Sequence, residues 1–174
     1  MHLRTQLFIF DADGTLRRTT VPGRPCPDTA DQWQLMPLVA ETLRSIPWEE
    51  AGYALGIASN QGGVALGYLT RDCAHQLLVD MVVSAIGYFP SRSYIELCTC
   101  SITANCDCRK PAPGMLLRIL TRSGIPASRA IFVGDAEEDF EAAGRAGIRF
   151  RWAKDFFGWP GARCDCPIET IRTR

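Results

Sequence analysis

Short apolar runs alternate with helical patterns along most of this chain, and this alternation limits the folds that it can adopt. The apolar runs predict strands at 7–10, 53–58, 94–97, 130–133 and 148–152. Helical patterns fall between them, near 38–46, 71–86, 114–123 and 138–146. Strands that alternate with helices predict a three-layer, Rossmann-like α/β fold, with helices on both faces of a parallel sheet. The length suits a single domain over residues 1–174.

Charge and hydropathy narrow the range of partners. The 19 basic and 19 acidic side chains give a formal net charge of zero, so the whole chain offers no positive field to nucleic acid, and we expect no nucleic-acid partner. No apolar run approaches the roughly 18 residues that a membrane span needs, so we expect no membrane partner. The N-terminus shows no signal-peptide pattern, which makes a cytoplasmic location the expectation. Both a monomer and a homodimer stay open.

Two carboxylates directly follow the first apolar run. Asp11 and Asp13 come after Phe10, and Gly14 then lets the chain turn sharply. If the strand conformation persists through the pair, both acids leave the same side of the chain. Adjacent carboxylates repel each other unless a cation neutralises them, and carboxylate oxygens are ligands for Mg²⁺ in phosphoryl-transfer sites. Alone, however, Asp followed by Gly is also an ordinary turn signal.

Polar residues at three later points strengthen the catalytic interpretation. They are Ser59-Asn60 after the second apolar run, Arg109-Lys110 before a predicted helix, and Asp135 and Asp139 after the strand at 130–133. Because ligands of open α/β sheets bind beyond the carboxyl ends of the strands, we expect these segments to meet there. Each segment also has a structural alternative, since acids can cap helices, Ser-Asn can form turns, and a lysine can be a solvated surface charge.

Four of the eight cysteines are grouped as a metal site would require. Cys98 and Cys100 form one C-x-C pair, and Cys106 and Cys108 form a second directly before Arg109. Four thiolates can surround one tetrahedral Zn²⁺, although this spacing is tighter than that of common zinc fingers. Two disulfides are disfavoured in a reducing cytosol, and the spacing matches no familiar iron–sulfur pattern. The loop at 98–108 is therefore predicted to bind structural zinc.

In this order, the four polar segments resemble the nucleophile, Ser/Thr, Lys and acidic motifs of the haloacid dehalogenase (HAD) superfamily of phosphotransferases, over residues from about 7 to about 150. The resemblance implies that Asp11 is a nucleophile and that Asp13 is a general acid and base. It also implies a Mg²⁺ site formed by Asp11, the main-chain carbonyl of Asp13, and Asp135. Asp139 would support this site or bind the metal through water, with Glu138 as the competing choice.

The same resemblance assigns the remaining site residues. Ser59 would donate a hydrogen bond to a phosphoryl oxygen, Asn60 would orient the nucleophile or the substrate, and Lys110 would stabilise the intermediate with its positive charge. The segments that follow residues 15 and 59 are too short to hold the large cap domains that some superfamily members insert there. We therefore expect an open site whose specificity comes from short loops or from a partner subunit.

One branch of the superfamily is more similar than the rest. Residues 106–116 closely resemble a segment of the D-glycero-D-manno-heptose 1,7-bisphosphate phosphatases and the related histidinol-phosphate phosphatases, in which a zinc loop precedes the Lys motif and Arg109 would contact substrate phosphate. The chain departs from that branch in having Cys100 where a His is usual, and in its shorter cysteine loop. An aromatic tail at 152–174 lies outside the resemblance; we expect it to cover the sheet edge or core, with a dimer contact as the alternative.

Three functions are open on this evidence. The leading one is a Mg²⁺-dependent phosphomonoester hydrolase that acts through an aspartyl-phosphate on a small phosphorylated metabolite, with heptose bisphosphate ahead of histidinol phosphate. A polynucleotide 3′-phosphatase is second, because those repair enzymes share the Asp-x-Asp-Gly-Thr-Leu motif. A zinc-binding interaction module is the non-enzymatic alternative. Cys166 and Arg172 have the spacing of cysteine phosphatases, but no Gly between them could let the backbone wrap a phosphate.

Overall fold

The computed structural model describes residues 6–24, 26–50 and 52–161. In chain order, the elements are β1 (Leu7–Phe10), β2 (Arg17–Thr19), β3 (Trp33–Leu35), α1 (Val39–Arg44), β4 (Ala54–Asn60), α2 (Arg71–Ile86), β5 (Ser93–Cys98), α3 (Gly114–Ser123), β6 (Ala130–Gly134), α4 (Glu137–Ala146), β7 (Arg149–Trp152) and α5 (Ala153–Phe157), with a 3-10 turn at Ala127–Arg129. The main sheet is entirely parallel, with the strand order β5-β4-β1-β6-β7. This confirms the predicted α/β class.

The central strand shows why the sheet has helices on both faces. All four residues of β1 are buried, and their side chains alternate between two cores. Phe8 and Phe10 pack in the core that contains α1 and α2, whereas Leu7 and Ile9 pack in the core that contains α3 and α4. A strand buried on both faces has no polar positions, so its sequence is an uninterrupted apolar run.

The ends of the helices follow local sequence signals. The side chain of Thr70 caps α2 by accepting a hydrogen bond from the Cys73 N–H. Gly87, Gly124 and Gly147 end α2, α3 and α4 in the left-handed conformation that glycine adopts without strain. Both α2 and α3 have the predicted bounds. Within the described ranges, no helix combines the length and the apolarity needed to cross a membrane.

A small antiparallel hairpin follows the first motif. Strands β2 and β3 pair with Arg17 opposite Leu35, and Leu16 at the base of the hairpin is fully buried. The sequence predicts only a short loop here and not these strands, because three-residue strands are too short to show a period.

The aromatic residues at the start of the C-terminal tail pack onto the sheet. Phe157 of α5 is buried against Phe10, and Trp159 stacks on Phe157 with ring centroids 5.4 Å apart. The Trp159 indole N–H also donates to the Pro37 carbonyl at 2.7 Å. The rest of the tail, including Cys164, Cys166 and Arg172, lies outside the described residues.

Candidate active site

The carboxyl ends of β1, β4 and β6 bring the predicted site residues to one edge of the sheet. Asp11 follows β1, Ser59 is near the end of β4, and Asp135 follows β6. Lys110 reaches the same place from the loop before α3. Residues of all four motifs therefore lie together at this edge of the sheet, as expected.

Lys110 lies between two carboxylates in the interior of the site. Its ammonium group contacts Asp11 Oδ1 and lies 2.7 Å from Asp139 Oδ1. All three side chains are at least nine-tenths buried. Lys110 is therefore not a solvated surface charge, and this part of the site contains one cation against two acids.

A third carboxylate makes the imbalance larger. One carboxylate oxygen from each of Asp11, Asp135 and Asp139 lies within 4.8 Å of the others, and the Thr15 hydroxyl holds Asp135 with a 2.8 Å hydrogen bond. Three ionised acids and one lysine would leave two negative charges uncompensated. The oxygen ligands and this deficit suit one divalent cation such as Mg²⁺.

The pKa values show that burial disfavours the ionised form of the site carboxylates in the protein alone. Burial raises the pKa of Asp11 to about 7, against the lowering effect of Lys110. Burial also raises the pKa of the partly exposed Asp135. The pKa of Lys110 would fall on burial, but its attraction to Asp11 and Asp139 raises it instead, so this lysine stays charged.

Asp139, rather than the exposed Glu138, supports the site. Its second oxygen accepts hydrogen bonds from the N–H groups of Asp135 and Ala136, both at 3.2 Å. Residue 134 must be glycine for this approach, because a Cβ there would lie 2.4 Å from Asp139 Oδ2. The helix-capping alternative thus holds for Asp139, whose other oxygen faces Lys110.

Asp13 has different neighbours from Asp11. Strand β1 ends at Phe10 and the chain then turns, with the N–H groups of Leu16 and Arg17 both donating to the Ala12 carbonyl. The strand therefore does not carry both acids to one place, and the Asp13 side chain is not part of the three-carboxylate group. Arg17 donates to it instead, at 2.8 Å.

Asn60 lies against the main chain of Lys110. The resemblance implies that Asn60 orients the nucleophile or the substrate, and in the structure both ends of its amide engage the Lys110 main chain. Asn60 Nδ2 donates to the Lys110 carbonyl at 3.2 Å, and the Lys110 N–H donates to Asn60 Oδ1 at 3.0 Å. Asn60 thereby fixes the position of Lys110.

Ser59 remains free to contact a phosphoryl group. Its buried hydroxyl oxygen accepts a hydrogen bond from Gln61 Nε2 at 2.8 Å. Because that bond uses a lone pair, the hydroxyl hydrogen can still be donated to another oxygen.

The four clustered cysteines lie together in the cysteine loop, residues 98–108. All are free thiols whose sulfur atoms lie within 4.8 Å of one another. The Sγ–Sγ distances of Cys98–Cys106 and Cys100–Cys108 are 3.8 Å, and Cys108 Sγ lies 3.0 Å from Cys98 Sγ and 3.5 Å from Cys106 Sγ. Zinc with four Zn–S bonds of about 2.3 Å holds its sulfur atoms about 3.8 Å apart, so two of these distances equal the zinc spacing and the other two are shorter. Four thiols gathered this closely suit a single zinc ion.

The cysteine loop is connected to the site through Arg109. Its guanidinium donates to the Cys100 carbonyl at 3.3 Å and lies close to Gly62, where a Cβ would be 3.4 Å from Arg109 Nη1.

The thiols of the cysteine loop differ in their pKa values. Burial raises the pKa of the Cys98 thiol, whereas hydrogen bonds, of which the one from the Arg109 backbone has the largest effect, lower the pKa of Cys106 to about 6. At least one thiol is thus readily available as thiolate.

Three residues of the site were not identified from the sequence. Thr15 directly follows Gly14, and Gln61 directly follows Asn60. Their positions next to motif residues could have identified both as members of the site. Arg17 carries no such signal, because only the fold shows that this residue of a short exposed-looking segment is fully buried.

The chain matches known proteins over most of its length. Residues 6–157 match the family model described as polynucleotide kinase 3 phosphatase. The chain is 33% identical over 140 residues to D-glycero-beta-D-manno-heptose-1,7-bisphosphate 7-phosphatase of Pseudomonas aeruginosa, a match covering 79% of this chain and 74% of that protein. The enzyme of the same name from Pseudomonas putida is 31% identical, with 79% and 76% covered.

A solved structure matches the fold. The D,D-heptose 1,7-bisphosphate phosphatase of B. bronchiseptica, in complex with magnesium and phosphate, superposes with a TM-score of 0.73. That match covers 91% of this chain and 89% of the other, at 22% sequence identity. The shared fold is that of the HAD phosphatases.

Proposed function

Since this chain belongs to the polynucleotide kinase 3 phosphatase family, within the haloacid dehalogenase superfamily, we propose that it is a Mg²⁺-dependent phosphomonoesterase with Asp11 as its nucleophile. The contact of the buried Lys110 with both Asp11 and Asp139 supports this proposal most directly. The lysine charge favours the ionised form of the nucleophilic carboxylate, against the effect of burial, and can then neutralise a phosphoryl group on it.

The reaction proceeds through two displacements. In the first, an Asp11 oxygen forms a bond to phosphorus, the bond from phosphorus to the ester oxygen breaks, and Asp13 gives its proton to that oxygen. In the second, a water oxygen bonds to phosphorus, the bond to Asp11 breaks, and Asp13 takes the proton from the water. The enzyme is thereby restored, and inorganic phosphate is released.

Other side chains of the site bind the phosphoryl group. Ser59 donates its hydroxyl hydrogen to a phosphoryl oxygen, Lys110 contributes positive charge, and Arg109 binds a substrate phosphate near the cysteine loop. Asn60 acts on Lys110 through the main chain. Backbone and side-chain groups that are already fixed before substrate binds need no reorganisation during the reaction.

Magnesium fits the carboxylate group of the site. Asp11, Asp135 and the main-chain carbonyl of Asp13 would hold the ion, with Asp139 behind them. When bound, it supplies positive charge that offsets the carboxylates and the phosphate. The B. bronchiseptica phosphatase, with magnesium and phosphate bound, supports this choice of metal.

Zinc is proposed for the cysteine loop, with Cys98, Cys100, Cys106 and Cys108 as ligands. Its role would be structural, since it would stiffen the loop whose Cys100 carbonyl accepts from Arg109. Free thiols and a zinc site fit a reducing compartment, and we propose a cytoplasmic location.

The proposed substrate is D-glycero-D-manno-heptose 1,7-bisphosphate, which the names of the relatives specify. The test is a comparison of kcat/KM for the heptose bisphosphate, histidinol phosphate and a 3′-phosphorylated oligonucleotide, with Asp11→Asn as the inactive control. We expect the heptose bisphosphate to be preferred and its 7-phosphate to be released, as followed by ³¹P NMR. Preference for either other substrate would reject this assignment while leaving the chemistry in place.

A second candidate is a polynucleotide 3′-phosphatase, which the description of the matching family favours. The absence of a large cap between the motifs within the described residues suits a bulky substrate, but the zero net charge opposes nucleic-acid binding. A steep fall of oligonucleotide kcat/KM with salt would support this alternative, because each phosphate contact releases counterions.

A further inference from the structure

Arg17 is a fully buried cation that contacts the proposed general acid and base. It is the first residue of β2, four positions after Asp13, and its side chain has no exposed surface. Its Nε donates to Asp13 Oδ1 at 2.8 Å, and its Nη2 lies 3.4 Å from Oδ2. A guanidinium group that spans both oxygens of a carboxylate fixes the plane of that carboxylate as well as its position.

Gln61, at the end of another strand, also holds the Asp13 carboxylate. It follows β4 and is fully buried, and its Nε2 donates to Asp13 Oδ2 and to Ser59 Oγ, both at 2.8 Å. Its Oε1 has no partner among the described residues. The amide nitrogen of Gln61 therefore links the carboxylate of Asp13 to the hydroxyl of Ser59.

Arg17 is itself held in place by the fold. Its Nη1 donates to the Leu77 carbonyl of α2 at 3.2 Å, and its guanidinium lies 6.0 Å from the centre of the Trp33 ring in β3. Asp13 is thus held by Arg17 of the hairpin and by Gln61 at the end of β4, and Arg17 is in turn held by α2. Rotation of Asp13 would break contacts to two separate elements.

We propose, on the basis of the proposed function, that Arg17 and Gln61 are positioning residues that hold Asp13 for proton transfer. Oδ2 accepts from both residues, whereas Oδ1 accepts from Arg17 alone among the described residues. A carboxylate oxygen has two lone pairs, so Oδ1 is the oxygen with a free position. Oδ1 therefore carries the proton that passes to the ester oxygen, and later receives the proton of water.

A test of this role compares substrates that differ in their need for a proton. Phenolate is a poor leaving group and requires protonation, whereas p-nitrophenolate leaves readily without it. The quantity measured is kcat/KM, which reports the steps up to the aspartyl-phosphate. For Arg17→Met and for Gln61→Met, we expect kcat/KM to fall about 10²-fold with phenyl phosphate, the scale of general acid catalysis, and much less with p-nitrophenyl phosphate.

Two controls keep the result specific. Asp13→Asn should show the same substrate selectivity, and Arg18→Met, which alters the adjacent and exposed residue of β2, should match the wild-type protein. If Arg17→Met fails to fold by circular dichroism, Gln61→Met carries the test, because it removes the same kind of contact without removing a charge. The inhibition constant Ki for inorganic phosphate should stay within a few-fold of the wild-type value, since neither residue is placed on the phosphoryl group.

The outcomes separate this inference from the proposed function. Equal losses with both aryl phosphates in a folded variant would mean that Arg17 and Gln61 only stabilise the protein. Activity of both variants equal to that of wild type would also reject the positioning role. If the wild-type protein hydrolyses neither aryl phosphate nor any sugar phosphate with Mg²⁺, the proposed function fails first and the inference fails with it.

Discussion

At the scale of single residues, the site is defined by an excess of buried acid over buried base. Lys110 neutralises part of the charge of Asp11 and Asp139, and Asp135 adds a further carboxylate. Such a group is unfavourable in the protein alone, because burying ionised carboxylates without full compensation costs free energy. Clusters of this kind are typical of functional sites.

The raised pKa of Asp11 gives a prediction for the metal-free protein. Its folded pKa of about 7 lies above its ordinary value of 3.8, so its contribution to stability is present at low pH and is lost as pH rises through about 7. In magnesium-free buffer, Asp11→Asn should therefore melt at a higher temperature than wild type at pH 8, with the difference shrinking towards pH 4. The same substitution should lower phosphatase activity at least about 10³-fold, as loss of a covalent nucleophile does.

Thermal unfolding from pH 4 to 8, with and without Mg²⁺, checks this prediction. Magnesium should raise the melting temperature of wild type more at pH 8 than at pH 5, because protons compete for its ligands. An Asp11→Asn variant less stable than metal-free wild type at pH 8 would show that Asp11 stabilises the fold.

At the scale of elements, the start of α3 lies directly against the cysteine loop. The Gly114 N–H donates to the Asp107 carbonyl at 2.9 Å, and a Cβ on residue 114 would lie 2.3 Å from that oxygen. Contact with main chain cannot be relieved by a rotamer change. Glycine is therefore required here for close approach.

Substitution of glycines in two helices tests that requirement. Gly114→Ala should lower the free energy of unfolding by about 2 kcal/mol or more, as overpacking does, and should displace Arg109 and Lys110 enough to reduce activity. Gly144→Ala in α4 is the matched control, because a Cβ there meets nothing within 4 Å. The control should gain up to about 1 kcal/mol from the higher helix propensity of alanine. Equal effects of the two substitutions in urea unfolding would contradict this view of the contact.

The cysteine loop allows a second test at this scale. We expect about one zinc per chain by elemental analysis, and loss of that zinc with several degrees of melting temperature in Cys108→Ser, because structural zinc contributes directly to folding. Cys73→Ser is the control, since Cys73 is an exposed thiol on α2. If metal-free wild type melts at the same temperature as the zinc-loaded protein, zinc does not stabilise the fold and this prediction is wrong.

Prediction from sequence succeeded for elements that are long or buried, and it failed where tertiary contacts determine the structure. The run at 7–10 matches β1 because burial on two faces leaves an uninterrupted apolar run, and the pattern at 71–86 matches α2 because burial of one helical face leaves a periodic one. The strands β2 and β3 and helix α5 leave none. At the site, Asp11 and Lys110 belong to recognisable motifs, but the partnership of Arg17 with Asp13 and of Asn60 with the Lys110 main chain exists only once the chain is folded.

At the scale of the whole molecule, one parallel sheet carries the site along its carboxyl edge. Strands β1, β4 and β6 each end at or directly before a site residue, and the two cores pack on opposite faces of the sheet. The hairpin and the cysteine loop flank the site. We therefore expect substrate specificity to depend on these short loops rather than on the sheet.

The most direct test of the central claim is to capture the phosphoryl group on the protein. Protein incubated with Mg²⁺ and p-nitrophenyl phosphate, quenched and reduced with borohydride, should yield homoserine at position 11 by peptide mass spectrometry, because borohydride reduces an acyl phosphate. Asp13→Asn should increase the captured amount by slowing hydrolysis of the intermediate. Turnover with modification at another residue, or with none and with Asp11→Asn still active, would contradict the account.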